Sequence, residues 1–190
     1  TIRLRKLPGV YRPAIAILWP SSNSLGFNFM LDVGADIRAD APDLLKYALM
    51  GASYARNGFG LVRPRVGLLN VGTEEHKGRL ELKEANDLIS ESVENGEYEY
   101  VGFVEGNDIP SNRVDVIVTD GFTGNIALKT GEGTASMIGA AMRESFKATF
   151  LSIESDRFID TASLLGVPLT FWYGWQKSTE GIDTRLARHP

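Results

Sequence analysis

Cysteine is absent from the 190 residues, which excludes disulfides, thiolate metal sites and a cysteine nucleophile. Histidine occurs only as His76 and His189, too few for an imidazole-rich zinc site. No apolar run approaches the roughly 18 residues that a membrane span needs. No basic stretch is interleaved with aromatics as in single-strand nucleic-acid binders, and a net charge of −4 adds no general attraction to nucleic acid or anionic lipid. Neither a nucleic-acid partner nor a metal or cofactor is expected. No secretory signal is visible, so the expected location is cytoplasmic.

What is present has the composition of a globular protein, 43% apolar and 23% charged. Its most informative stretch is Pro64 to Lys83, PRVGLLNVGTEEHKGRLELK, which sets a short apolar run against a glycine-bounded, charge-dense turn. Val66, Leu68 and Leu69 read as a strand buried on both faces of a parallel sheet. In open α/β sheets the ligand crevice lies beyond the carboxyl ends of such strands. That position holds Gly72, Thr73, Glu74, Glu75, His76, Lys77 and Gly78, where the glycines permit close backbone approach.

The rest of the chain repeats the pattern. Ile15 to Leu18 and Phe27 to Val33 read as strands, the second ending in Asp32-Val33-Gly34-Ala35-Asp36. Asp40 and Pro42 are start signals for a helix with Leu44, Leu45, Ala48, Leu49, Ala52 and Ala55 on one face, closed by Asn57-Gly58. A second amphipathic helix carries Leu82, Ala85, Leu88, Ile89 and Val93 and ends at Asn95-Gly96. Strands Tyr98 to Val104 and Val114 to Val118 end in polar, glycine-containing turns, the latter being TDGFTGN. Strands alternating with helices of this length imply right-handed βαβ units and a parallel, doubly wound sheet. From Asn125 a long helix is expected, with an amino end suited to anions. Gly131-Glu132-Gly133-Thr134-Ala135-Ser136 falls short of the dinucleotide fingerprint, because Ser136 replaces the third glycine and the run lies inside a helix. Thr1 to Leu7 reads as the end of an amphipathic helix, so the chain is expected to be a fragment. Residues 151–190 lack a clear period and are read as a divergent or frame-shifted tail to a 1–150 α/β domain.

Taken in order, RPAIAILWP, FMLDVGAD, LLKYALMGASYAR, PRVGLLNVGTEEHKGRLELKEA, YVGFVEGNDI and VDVIVTDGFTGNIALKTGEGTA resemble the bacterial phosphate acyltransferase of phospholipid synthesis, from about Leu4 to Phe150. The resemblance implies transfer of a long-chain acyl group from acyl carrier protein to inorganic phosphate, giving an acyl phosphate without a cofactor. It also implies a three-layer α/β/α fold akin to isocitrate dehydrogenase and phosphotransacetylase, a homodimer, and peripheral association with membrane. Carried onto this sequence, Lys77 would hold phosphate and Asn125 would orient substrate or donate to the oxyanion. Gly72, Thr73, Gly78 and Gly124 would line the substrate site, and Asp32 and Asp120 would orient the two principal residues rather than titrate. His76 is read as an ordinary loop residue.

The family's DAMGGD-type strand end, AGNTGA-type segment and closing HG motif are missing here. A catalytically inactive interaction remnant of the same fold is one alternative; a dehydrogenase relative is another, weakened by the missing fingerprint. Arg63, Arg65, Arg79 and Lys83 are expected to form a basic patch around the loop for the acidic carrier protein. Met137, Ile138, Ala141, Met142, Phe146 and Phe150, with Arg143 and Lys147 beside them, form a stripe suited to a partner subunit or an interface with lipid.

Overall fold

The computed structural model of the chain describes residues 14–74 and 77–149, with the side chains of 145–149 left aside. The expectations for Thr1 to Leu7, His76, Phe146, Lys147, Phe150 and the tail lie outside the described residues. The chain divides into two compact units, Thr1–Met137 and Ile138–Pro190.

Five strands form the sheet: β1 (Ala16–Pro20), β2 (Phe27–Leu31), β3 (Arg65–Leu69), β4 (Glu99–Val104) and β5 (Val116–Val118). Their order is β1-β2-β5-β3-β4. All neighbouring pairs are parallel except β1 and β2. The sheet is therefore mixed and mostly parallel. The antiparallel pair follows from the short connection at 21–26, because a parallel crossover needs a dozen residues or more. Gly26 closes that turn at φ 78°, its amide donating to the Asn23 carbonyl at 3.0 Å.

The helices are α1 (Ala41–Phe59), α2 (Leu80–Glu91), the single turn α3 (Val93–Gly96) and α4 (Gly121–Thr149). Asp40 caps α1 by accepting the Asp43 amide at 3.0 Å. The helix passes through the expected stop at Asn57-Gly58 and ends at Gly60, in the left-handed region at φ 71°. The Asn57 amide turns back onto the Ser53 carbonyl at 2.9 Å, and Phe59 packs with Phe27, Phe29 and Tyr54, which holds the last turn helical. The second helix instead breaks at Ser92, leaving Val93 to Gly96 as a separate turn.

Alternation along the strands builds three layers. Phe29, Leu31, Val66, Leu68, Val116 and Val118 face α1 and α2, whereas Met30, Leu69 and Ile117 join the cluster that includes Ala127 and Leu128 of α4. Burying each large apolar side chain contributes roughly 1.5–3 kcal/mol, so these faces rather than helix propensity hold the layers together. Gly51 shows how tight the α1 contact is. A Cβ there would lie 2.5 Å from Val116 Cγ1 and 3.1 Å from Leu31 Cδ1. Gly51→Ala would gain about 1 kcal/mol of helix propensity but lose about 1–3 kcal/mol to overpacking. A lower urea midpoint is the expected result, and an unchanged or higher one would show that the sheet yields at this point.

Candidate functional site

The parallel strands deliver their carboxyl ends to one edge. Leu31 leads into Asp32, Leu69 into Asn70, Val104 into Glu105, and Val118 into Thr119 and Asp120. Every substrate-contact residue expected from the sequence lies just beyond one of these ends.

At β2, the buried Asp32 carboxylate accepts four backbone amides: Ile15 at 2.9 Å, Gly34 at 3.2 Å, Ala35 at 3.1 Å and Asp36 at 2.6 Å. Its place in the fold is the centre of a folded turn. The start of α4 rests on that turn. Gly121 donates to the Asp36 carbonyl at 2.8 Å, and a Cβ on Gly124 would lie 1.9 Å from the Asp32 carbonyl oxygen. Only glycine allows so close a crossing, which is why TDGFTGN is helical from Gly121 although its composition reads as a loop.

Asp120, 2% exposed, is the amino cap of α4: it accepts the Thr123 amide at 2.8 Å and the Thr123 hydroxyl at 3.0 Å. Arg79 also pairs with it, tying the β3–α2 loop to the start of α4. The helix starts four residues before Asn125, and these partners already take up amides of its first turn, so the expected anion seat on free helix-end amides is not what the geometry provides. Asn125 lies one turn in, half-buried, with its Nδ2 3.2 Å from where a Cβ on Gly34 would stand. Among the described residues its carboxamide has no hydrogen-bond partner, which leaves it available to a ligand.

At β3, Lys77 is half-exposed and its ammonium lies 2.8 Å from Glu74 Oε1. The pairing holds Lys77 above the ordinary lysine value, first through the hydrogen bond and charge of Glu74, with Glu105 adding to it. The ammonium is therefore fully charged at neutral pH. Its stem lies over Gly72, where a Cβ would come within 2.5 Å of Lys77 Cδ. Gly78 adopts φ 91° and Thr73 is exposed. The Lys77 ammonium is held by Glu74 beyond β3 and Asn125 stands beside Gly34 beyond β2, and among the described residues no hydrogen bond joins the two.

The basic patch expected around the loop is split. Arg65 stands at the amino end of β3, paired with Asp115 at 2.8 Å, and Arg63 pairs with Glu94 at 2.8 Å. Five residue steps along an extended strand place them about 16 Å from the loop. Arg79 and Lys83 alone remain on its side. Two contributors escaped sequence reasoning, Asn70 and the Arg79 link to Asp120. The signal for Asn70 is a carboxamide closing an apolar strand directly before a glycine-rich turn.

A shallow apolar groove of about 640 Å³ lies elsewhere, between β1, β2 and α1, and is lined by Ala16, Leu18, Phe29, Leu49 and Tyr54 among others. It contains no charged residue, and its polar members are Ser53, Tyr54 and Asn57. No helix among the described residues is long and apolar enough to cross a membrane.

The fold and the sequence have known counterparts. The solved structure of the EutD phosphotransacetylase from Staphylococcus aureus superimposes with a TM-score of 0.55 and 18% identity over 68% of this chain and 44% of that one, a likeness of fold. The phosphate acyltransferases of Paracoccus denitrificans and Ruegeria pomeroyi are 73% and 74% identical over 151 residues, which are 80% of this chain and 41% of each relative. That of Roseobacter denitrificans is 68% identical over 167 residues, 88% of this chain and 45% of the relative. The chain thus spans less than half the length of these curated relatives. A family model described as fatty acid synthesis protein matches residues 1–155, which contain every candidate site residue. The chain therefore belongs to the fatty acid synthesis protein family.

Proposed function

We propose that this chain is the phosphate-handling part of an enzyme that transfers a fatty acyl group from acyl carrier protein to inorganic phosphate, forming acyl phosphate for phospholipid synthesis. The observation that carries the reading is the 68–74% identity to phosphate acyltransferases across the segment that holds Lys77 and Asn125. A phosphate oxygen attacks the thioester carbonyl, the C–O bond forms, and negative charge develops on the former carbonyl oxygen. Lys77 offsets and orients the phosphate charge. Asn125 donates its amide N–H to the oxyanion. Collapse of the tetrahedral species breaks the C–S bond, and the departing thiolate takes a proton from solvent. Thr73 stands exposed on the loop for substrate, whereas Gly72, Gly78 and Gly124 make room for the Lys77 stem, the Asn70 carboxamide and the Asp32 carbonyl, and Asp32 and Asp120 fix the turn beneath α4 and the start of that helix, which carries Asn125. Incubating the protein with an acyl carrier protein thioester and phosphate should yield acyl phosphate that hydroxylamine traps. Thiol release without a trappable product would contradict the reading.

Asn125→Ala separates chemistry from folding. Asp120, not Asn125, caps α4, so the variant should melt within about 0.5 kcal/mol of the parent while turnover falls on the order of a hundredfold. Activity and cooperative melting lost together would assign Asn125 to structure.

The partner-facing role falls to α4. Met137 and Ile138 are 66% and 50% exposed and Met142 is 39% exposed, within two turns of α4 that carry the expected stripe. We read this stripe as a subunit contact, with weak peripheral membrane binding as a secondary property. The chain is expected to self-associate in sedimentation experiments and to bind liposomes weakly at low salt. A monodisperse monomer that ignores liposomes would contradict both.

A further inference from the structure

We propose that Asn70 is the positioning residue of this site: its buried carboxamide, at the carboxyl end of β3, holds Gly72 and Lys77 together across the neck of the loop so that the lysine is preset for phosphate. The inference rests on the phosphate role given to Lys77 above.

Asn70 is 7% exposed, and its backbone amide is anchored to the Val104 carbonyl of β4 at 2.8 Å. Its Nδ2 donates to the carbonyls of Gly72 at 3.1 Å and of Lys77 at 3.2 Å, spending both amide protons on the two sides of one loop. That pattern fixes the orientation of the carboxamide, since the opposite one would set Oδ1 against two carbonyl oxygens. Oδ1 is left buried without a partner among the described residues. It faces Gly78, where a Cβ would lie 2.3 Å from Oδ1 and 2.9 Å from both Cγ and Nδ2. With φ at 91°, Gly78 is the residue whose backbone can lie flat on the amide.

A buried carbonyl oxygen without a partner is unfavourable, and a purely structural position would be filled at lower cost by an apolar side chain. The arrangement makes sense if the two Nδ2 bonds are what the residue is kept for. They act on the Lys77 backbone, and the side chain then folds back over Gly72 to reach Glu74. Asn70 touches no reacting atom in this scheme. It determines where the ammonium stands before phosphate arrives.

The test compares Asn70→Ala, which removes the bridge, with Asn70→Asp, which keeps the shape but turns an acceptor toward the two carbonyls. Competitive acetylation followed by mass spectrometry reads the reactivity of Lys77 in the chain as it is. Lys46 and Lys129, which pair with Asp43 and Glu132 within helices, serve as internal references. Both variants are expected to raise Lys77 labelling about threefold or more as its pairing loosens, with the references and cooperative melting unchanged. In an enzyme complete enough to turn over, the same variants should raise KM for phosphate about tenfold and leave KM for the thioester as it was. Unchanged Lys77 labelling in both variants, or loss of cooperative melting in both, would overturn the proposal. Altered labelling with an unaltered KM for phosphate would keep Asn70 as the anchor of Lys77 and refute the phosphate role of Lys77 instead.

Discussion

Replacing Lys77 with alanine in an enzyme complete enough to turn over is expected to lower acyl transfer to phosphate by between about a hundredfold and a thousandfold, the scale for losing one preorganised charge-stabilising group. The expectation follows from where the ammonium stands. It is half-exposed at a strand end, charged at neutral pH because of Glu74, and its stem lies against a glycine that gives it room. Glu74 holds the cation until phosphate competes for it, so the loss should appear in both kcat and KM for phosphate. Lys77→Arg should restore only part of the rate, since a planar guanidinium on a different stem cannot occupy the same point. Stability should hardly change, because an exposed pair of this kind is worth little to the fold. A variant with parental turnover would remove Lys77 from the mechanism.

Asp32→Ala is expected to have the largest effect on the fold. Four amides converge on this buried carboxylate from two segments, the start of β1 and the turn at 34–36. Removing the acceptor leaves them without it, and each stranded buried donor costs about 1–3 kcal/mol. Partial rescue by water brings the expected total to roughly 3–5 kcal/mol. The turn also carries Gly34, beneath Asn125, and the Asp32 carbonyl against which Gly124 packs. Activity should therefore fall even at temperatures where the variant remains folded. Asp32→Asn, which keeps an acceptor but introduces a donor among donors, should lie between the parent and alanine. Denaturant melting of the three proteins checks the order, and a parental midpoint for Asp32→Ala would mean that the turn is held by something other than this carboxylate.

The strands were legible because both faces of β2, β3 and β5 are buried, so their apolar runs are continuous and short. The start of α1 was legible because capping chemistry is local: Asp40 and Pro42 act on amides within one turn. Features set by partners distant in sequence were not. Tertiary contacts of Phe59 carried α1 past Asn57-Gly58, and the close crossing of Gly121 and Gly124 over the Asp32 turn made a helix of a loop-like composition. The direction of β1 depended on the length of a connection rather than on any periodicity. Arg63 and Arg65 precede the loop closely in sequence, but an extended strand carries its two ends to opposite edges of the sheet. At the site, Lys77 and Asn125 stand out through their motifs. Asn70 does not, because its function lies in two bonds to backbone carbonyls, which no side-chain pattern records.

The central claim is that inorganic phosphate is the nucleophile at this crevice, and isotope-labelled phosphate tests it most directly. With phosphate carrying 18O in every position and an unlabelled acyl carrier protein thioester, mass spectrometry of the acyl phosphate should show all of the phosphate label retained, including the bridging oxygen, and an unlabelled acyl carbonyl. Free fatty acid accumulating beside phosphate that never appears in an acyl product would contradict it.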